Sequence, residues 1–105
     1  MRVVLLASAE HDLKELRRYI VKNFSLATWQ KTYDKLKSSI GNLADFPLSG
    51  AIPEELETLN LTQYRQILSG KNRVIYEVRQ DTVFIHVIMD TRRDMVSFLM
   101  ARLVR

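Results

Sequence analysis

The chain has 105 residues, no cysteine and a formal net charge of +4, which excludes two domains of ordinary size, a disulfide framework and a thiolate metal site. No apolar run approaches the roughly 18 residues that a membrane span needs, and Met1-Arg2-Val3-Val4-Leu5-Leu6 is too short for a signal-peptide core. Residues 1–105 are therefore expected to form a single cytoplasmic domain with no membrane partner. The charge is unevenly distributed: residues 1–63 carry eight basic and eight acidic side chains, residues 64–105 eight basic against four acidic. Apart from Lys71, every basic residue of the second part is arginine, whose flat bidentate fork suits phosphate or carboxylate. An anionic partner is expected there, with a merely solvated basic face as the plainer reading.

Arg2 to Leu6 is a short continuous apolar run and predicts a buried or edge-docked first strand. Ser8 offers an N-cap oxygen, with Glu10 and Asp12 in the first turn of a helix whose apolar stripe is Leu13, Leu16, Ile20 and Phe24. The pattern breaks at Asn23 and Ser25, then resumes with Leu26, Trp29, Tyr33, Leu36, Ile40 and Leu43. Two helices so briefly connected predict an αα-hairpin, the alternative being a dimer seam along the second. Gly41 weakens the end of that helix and Pro47 stops it. Residues 47–63, with Pro47, Gly50, Pro53 and the acidic run Glu54-Glu55-Leu56-Glu57, read as a loop long enough to meet a partner.

Three β-patterned runs follow, Tyr64–Leu68, Asn72–Val78 and Thr82–Asp90. Their short connections at Ser69-Gly70-Lys71 and Arg79-Gln80-Asp81 predict an antiparallel meander. Alternation sets Val74, Tyr76 and Val78 against Arg73, Ile75 and Glu77. An arginine beside Ile75 must snorkel, pair with Glu77 or meet a ligand. His86 is expected to share a strand face with Phe84 and Ile88. Thr91-Arg92-Arg93-Asp94 then opens a short terminal helix. The fold class is thus α+β: strand, antiparallel helical hairpin, three-stranded antiparallel meander and short C-terminal helix.

The three glycines, at 41, 50 and 70, form no phosphate loop. His11 and His86 lack a partner at ligand spacing, so neither a metal site nor a cofactor is expected. Triad-type nucleophilic catalysis finds no support. What remains is a set of arginines, Arg65, Arg73, Arg92 and Arg93, on or beside one small sheet. Such groups can stabilise charge on a phosphate, but proton transfer would need His86 or Tyr76 as well, and neither has a telling spacing.

The order of elements, together with Ala9-Glu10-His11-Asp12-Leu13, NRVIYEV at 72–78 and VIMDTRRDMVSFLMARL at 87–103, resembles the RelE/ParE superfamily of type II toxin–antitoxin toxins, closest to the ParE-like branch, over essentially the whole chain. ParE-like toxins are associated with inhibition of DNA gyrase, growth arrest and plasmid stabilisation. RelE-like members are ribosome-dependent mRNA endoribonucleases. Arg65, Arg73 and Arg93 match three of the RelE-type basic positions, but Ile67 stands where a strand lysine would be, and Phe98 and Leu99 where a tyrosine would be. Asp90 stands where many ParE-like toxins have a histidine. The resemblance implies a non-enzymatic toxin with target contacts at Arg73, Arg92, Arg93 and Arg102, and the ribonuclease as the alternative. It also implies a cognate antitoxin, ParD-like or another type II antitoxin, bound at Leu16, Ile20, Trp29, Tyr33 and Arg65. Promoter DNA would be reached only through that antitoxin.

Overall fold

The computed structural model describes residues 1–92 and 94–103. Strand β1 (Arg2–Leu5) leads into helices α1 (Ala7–Asn23) and α2 (Leu26–Gly41), followed by the one-turn helix α3 (Glu54–Thr58), strands β2 (Tyr64–Ser69), β3 (Asn72–Arg79) and β4 (Thr82–Asp90), and helix α4 (Met95–Leu103). The strands form one sheet in the order β1-β4-β3-β2. The meander is antiparallel, and β1 adds to its edge parallel to β4, with Arg2 opposite Thr82 and Leu5 opposite Ile85. This is the expected α+β architecture. Among the described residues, no helix is long and apolar enough to cross a membrane.

The helical hairpin covers one sheet face. Val74, Tyr76, Val83, Ile85 and Ile88 project from β3 and β4 onto Ala9, Leu36, Ile40 and Leu43. The last three belong to the α2 stripe and are buried within one chain, as the hairpin reading requires. The α1 stripe stops at Ile20, because Phe24 at the helix end is 66% exposed. The opposite face is also covered: Ile75, Val87 and Met89 pack with Leu56 of α3, Tyr64 and Leu99 of α4. A central strand buried on both faces explains why β3 and β4 read as nearly unbroken apolar runs.

Three local expectations change. First, α1 begins at Ala7, with extended Leu6 at the N-cap position and no side-chain cap. Leu6 N–H is bonded to the Ile85 carbonyl at 3.1 Å, so the chain turns from strand to helix directly. The Ser8 hydroxyl then donates to the His86 carbonyl at 3.3 Å instead of capping. At α2 the sequence signal is realised: Ser25 Oγ accepts the Thr28 N–H at 3.0 Å.

Second, the register of β3 on β4 shifts between Ile75 and Tyr76: Tyr76 lies opposite Ile85 and Ile75 opposite Val87, leaving His86 as the extra residue of a bulge. Phe84, His86 and Ile88 therefore do not share a face. Ile88 joins the core under the hairpin, while His86 meets the edge of the Tyr64 ring at 5.1 Å and the Glu77 carboxylate at 3.0 Å.

Third, residues 47–63 are tied down and contain α3. Gln66 N–H bonds to the Ala51 carbonyl at 2.8 Å, so the loop covers the outer edge of β2. The buried Tyr76 hydroxyl accepts the Gly50 N–H at 2.9 Å and donates to the Pro47 carbonyl at 2.8 Å. A side chain at Gly50 would begin 2.4 Å from the Gln66 carbonyl oxygen and 2.6 Å from the Tyr76 hydroxyl, so only glycine lets the backbone approach this closely.

Candidate functional site

Strand β1 pairs with β4 only as far as Ile85; beyond it, side chains from the two ends of the chain occupy the edge of β4. Asp12 of α1 accepts the Ile88 N–H at 3.1 Å, and Arg102 of α4 donates to the His86 carbonyl at 3.0 Å. Asp12 and Arg102 also form a bidentate pair at 2.9 and 3.0 Å. Each group thus stands in for a backbone partner the edge lacks. Asp94 receives the Ser97 N–H at 3.3 Å and the Ser97 hydroxyl at 3.0 Å, which organises the start of α4. The Arg102 guanidinium lies over the Phe98 ring at 5.2 Å.

These groups border a cleft of about 660 Å³ between α1 and the β4–α4 corner, with His11, Asp12, Tyr19, Asp90, Arg92, Phe98 and Arg102 in its walls. Asp90 ends β4 and accepts the Arg92 backbone N–H at 2.8 Å and its guanidinium at 2.9 and 3.0 Å. The Arg92 guanidinium holds the Asp90 carboxyl below the usual carboxylate range, and Asp90 in turn raises the Arg92 pKa. The Arg92 side chain remains 69% exposed: it is oriented by Asp90 yet presented to solvent. Arg93 lies outside the described residues.

The other singled-out arginines sit elsewhere. Arg73 lies on the sheet face beneath α3, with its side chain only 13% exposed. It pairs with Glu55 at 3.1 and 3.2 Å and donates to the Gln66 side-chain carbonyl. Its partner is therefore an α3 carboxylate, and Glu77 is taken by His86 and Arg79. The hydrogen bond from Arg73 lowers the Glu55 pKa. Arg65 donates to the carbonyl of Gly50 at 2.8 Å and fastens the 47–63 loop. Burial, and then the Glu77 charge, push the Tyr64 hydroxyl pKa up, so it stays a neutral phenol.

A second groove, of about 320 Å³, runs between α1, α2 and the β2–β3 turn, and Leu16 and Ile20 lie along it. Trp29 and Tyr33 stack on each other along α2 with ring centres 5.6 Å apart, Trp29 buried and Tyr33 exposed. The structure thus brings Leu16 with Ile20 and Trp29 with Tyr33, while Arg65 is engaged with the 47–63 loop. Among the described residues, no cluster of three or more His, Asp or Glu could hold a metal ion.

Sequence reasoning did not single out Asp12, Glu55 or Asp90 as organising groups. For Asp12 a signal exists: it falls between Ala9 and Leu16 at helical spacing, on the inward face of α1, where an acid needs a partner. Glu55 and Asp90 carry no comparable mark.

A helical hairpin over one face of a β1-β4-β3-β2 sheet, closed by a terminal helix beside a basic corner, is the RelE/ParE toxin architecture. Within that class, the family model described as ParE toxin of type II toxin-antitoxin system, parDE, matches residues 3–95, and the chain belongs to this family. No curated protein matches it significantly. Among solved structures it is similar to one described as the chromosomal ParDE TA system from P. aeruginosa, at 14% identity and a TM-score of 0.71. The match covers 86% of this chain and 95% of that one, and is a likeness of fold.

Proposed function

We propose that this chain inhibits DNA gyrase through the Arg92–Arg93 corner where β4 passes into α4, and that a cognate antitoxin neutralises it by binding along the helical hairpin. The observation that carries the reading is membership of the ParE family over residues 3–95, a span that includes this corner. Arg92 is the described arginine that is both oriented and exposed there. Arg102 and Arg73 support the surface from behind, the first by pinning α4 to Asp12 and the second by pinning α3.

An RNA-cutting mechanism would need Arg65 and Arg73 free to meet a phosphate. Both are engaged, Arg65 with a loop carbonyl and Arg73 with Glu55 and Gln66, so the ribonuclease alternative would first have to break these bonds. The antitoxin, ParD-like in kind, would lay an apolar segment over Leu16 and Ile20 and beside Tyr33, with acidic residues drawn to the basic meander. Promoter DNA would be met only through it. Growth arrest and plasmid stabilisation are the cellular outcomes such a pair would have.

Tightly controlled expression of the chain, read by a DNA-damage reporter together with the rate of protein synthesis, tests the target. Damage signalling with continued translation is expected, and the Arg92→Ala/Arg93→Ala double variant should lose it while still unfolding cooperatively on heating. An immediate stop in translation without damage signalling would overturn the gyrase reading. Failure of an adjacent co-transcribed partner to co-purify would overturn the antitoxin part.

A further inference from the structure

We propose that the groove between α1, α2 and the β2–β3 turn is a binding site for a mononucleotide, with the phosphate held by Lys35, Lys71 and the Ser69 hydroxyl and the base laid against Tyr19 and Phe24. The site belongs to the chain free of its antitoxin, which would share the groove floor at Leu16 and Ile20, and Arg92 forms part of its wall.

At the phosphate end, Ser69 Oγ is a buried side-chain oxygen without a hydrogen-bond partner among the described residues, and Ser69 lines the groove. A buried hydroxyl with no partner carries a desolvation cost that a ligand oxygen would relieve. The next residue, Gly70, is in the left-handed region (φ +60°), and the Lys35 side chain of α2 lies directly over it. Lys35 Nζ is 3.8 Å from where a Gly70 side chain would begin. Lys71 follows on the same turn. Neither lysine has an ion-pair partner among the described residues, whereas Arg73, Arg79, Arg92 and Arg102 all do.

The charge balance favours phosphate over carboxylate. Asp90 pairs with Arg92 and lies opposite Asn72, beside Lys71; with Lys35, Lys71 and Arg92 against this one carboxylate, the groove keeps an excess of two positive charges. A phosphate monoester carries about −1.5 to −2 at neutral pH and has three acceptor oxygens, enough for two ammonium groups and one hydroxyl together. A single carboxylate would leave one lysine unmatched.

At the other end, Tyr19 and Phe24 meet edge to face at 6.3 Å and are 50% and 66% exposed. Phe24 continues the α1 stripe in sequence yet lies outside the core. Exposed rings above an aliphatic floor form a stacking platform for a heterocycle, and the groove volume of about 320 Å³ is in the range of small-molecule sites.

Calorimetric titration of the purified chain with AMP, inorganic phosphate and adenosine tests the assignment. AMP is expected to bind saturably and more tightly than phosphate, with adenosine weakest. Lys35→Ala and Lys71→Ala should each weaken AMP by about tenfold without moving the thermal midpoint of the unliganded protein. Tyr19→Ala should reduce AMP to the level of phosphate and leave phosphate unchanged. Absence of saturable AMP binding, AMP binding indifferent to both lysine substitutions, or equal binding of a glutamate-rich peptide would each overturn it.

Discussion

At the scale of single residues, the chemistry of the arginines is decided by distant carboxylates. Residues 64–105 hold the whole excess of positive charge, yet Arg73 takes Glu55 and Arg102 takes Asp12, both from the formally neutral first part of the chain. The anionic partner that composition predicts is thus supplied in part by the protein itself. Tyr76 shows the same economy with neutral groups, since one buried hydroxyl serves both the Gly50 N–H and the Pro47 carbonyl. Replacing Tyr76 with Phe keeps the ring and strands a donor and an acceptor, at an expected cost of about 1–3 kcal/mol. Urea unfolding should show this as a lower midpoint at unchanged slope. A midpoint equal to wild type would mean that the loop is held without the hydroxyl.

At the scale of elements, what periodicity encodes was legible and what depends on remote partners was not. The α1–α2 hairpin follows from stripes at three- and four-residue spacing, and the meander from alternating runs around Gly70 and the Arg79–Asp81 turn. Helix α3 escapes because five residues in an acidic stretch carry no period. The His86 bulge escapes because neither glycine nor proline marks it and one inserted residue inverts every later face. In the site, the basic corner was legible as composition, but the clamp of Asp12 on Ile88 and Arg102 was not, since its members lie 76 and 90 positions apart. That clamp fixes α4. Arg102→Ala leaves Asp12 buried with one partner fewer, and is expected to cost about 2–3 kcal/mol. Hydrogen exchange should then accelerate in α4 and at the Ile88 amide before it does in α2. Uniform acceleration across the molecule would show that α4 has no separate clamp.

At the scale of the whole molecule, the ion pairs set the response to acid. Glu55 and Asp90 both have folded pKa values below their unfolded ones. Each therefore contributes stability that is fully present above its unfolded pKa and is lost as pH falls through the folded value. The thermal midpoint is expected to be level from neutral pH to about pH 5 and to decline below it. Glu55→Gln should lower the neutral plateau and flatten part of the decline, because Arg73 then has no carboxylate to lose. An acid limb of unchanged steepness in that variant would refute the assignment. The parallel union of β1 with β4 has a different consequence, one of timing. Strand β1 joins β4, the last of the four strands in chain order, with Arg2 beside Thr82. Asp12 likewise waits 90 positions for Arg102, an interval on the order of ten seconds at typical rates of synthesis. Until then neither the sheet edge nor the basic corner exists in its finished form, so a nascent or truncated copy lacks the surface proposed to act.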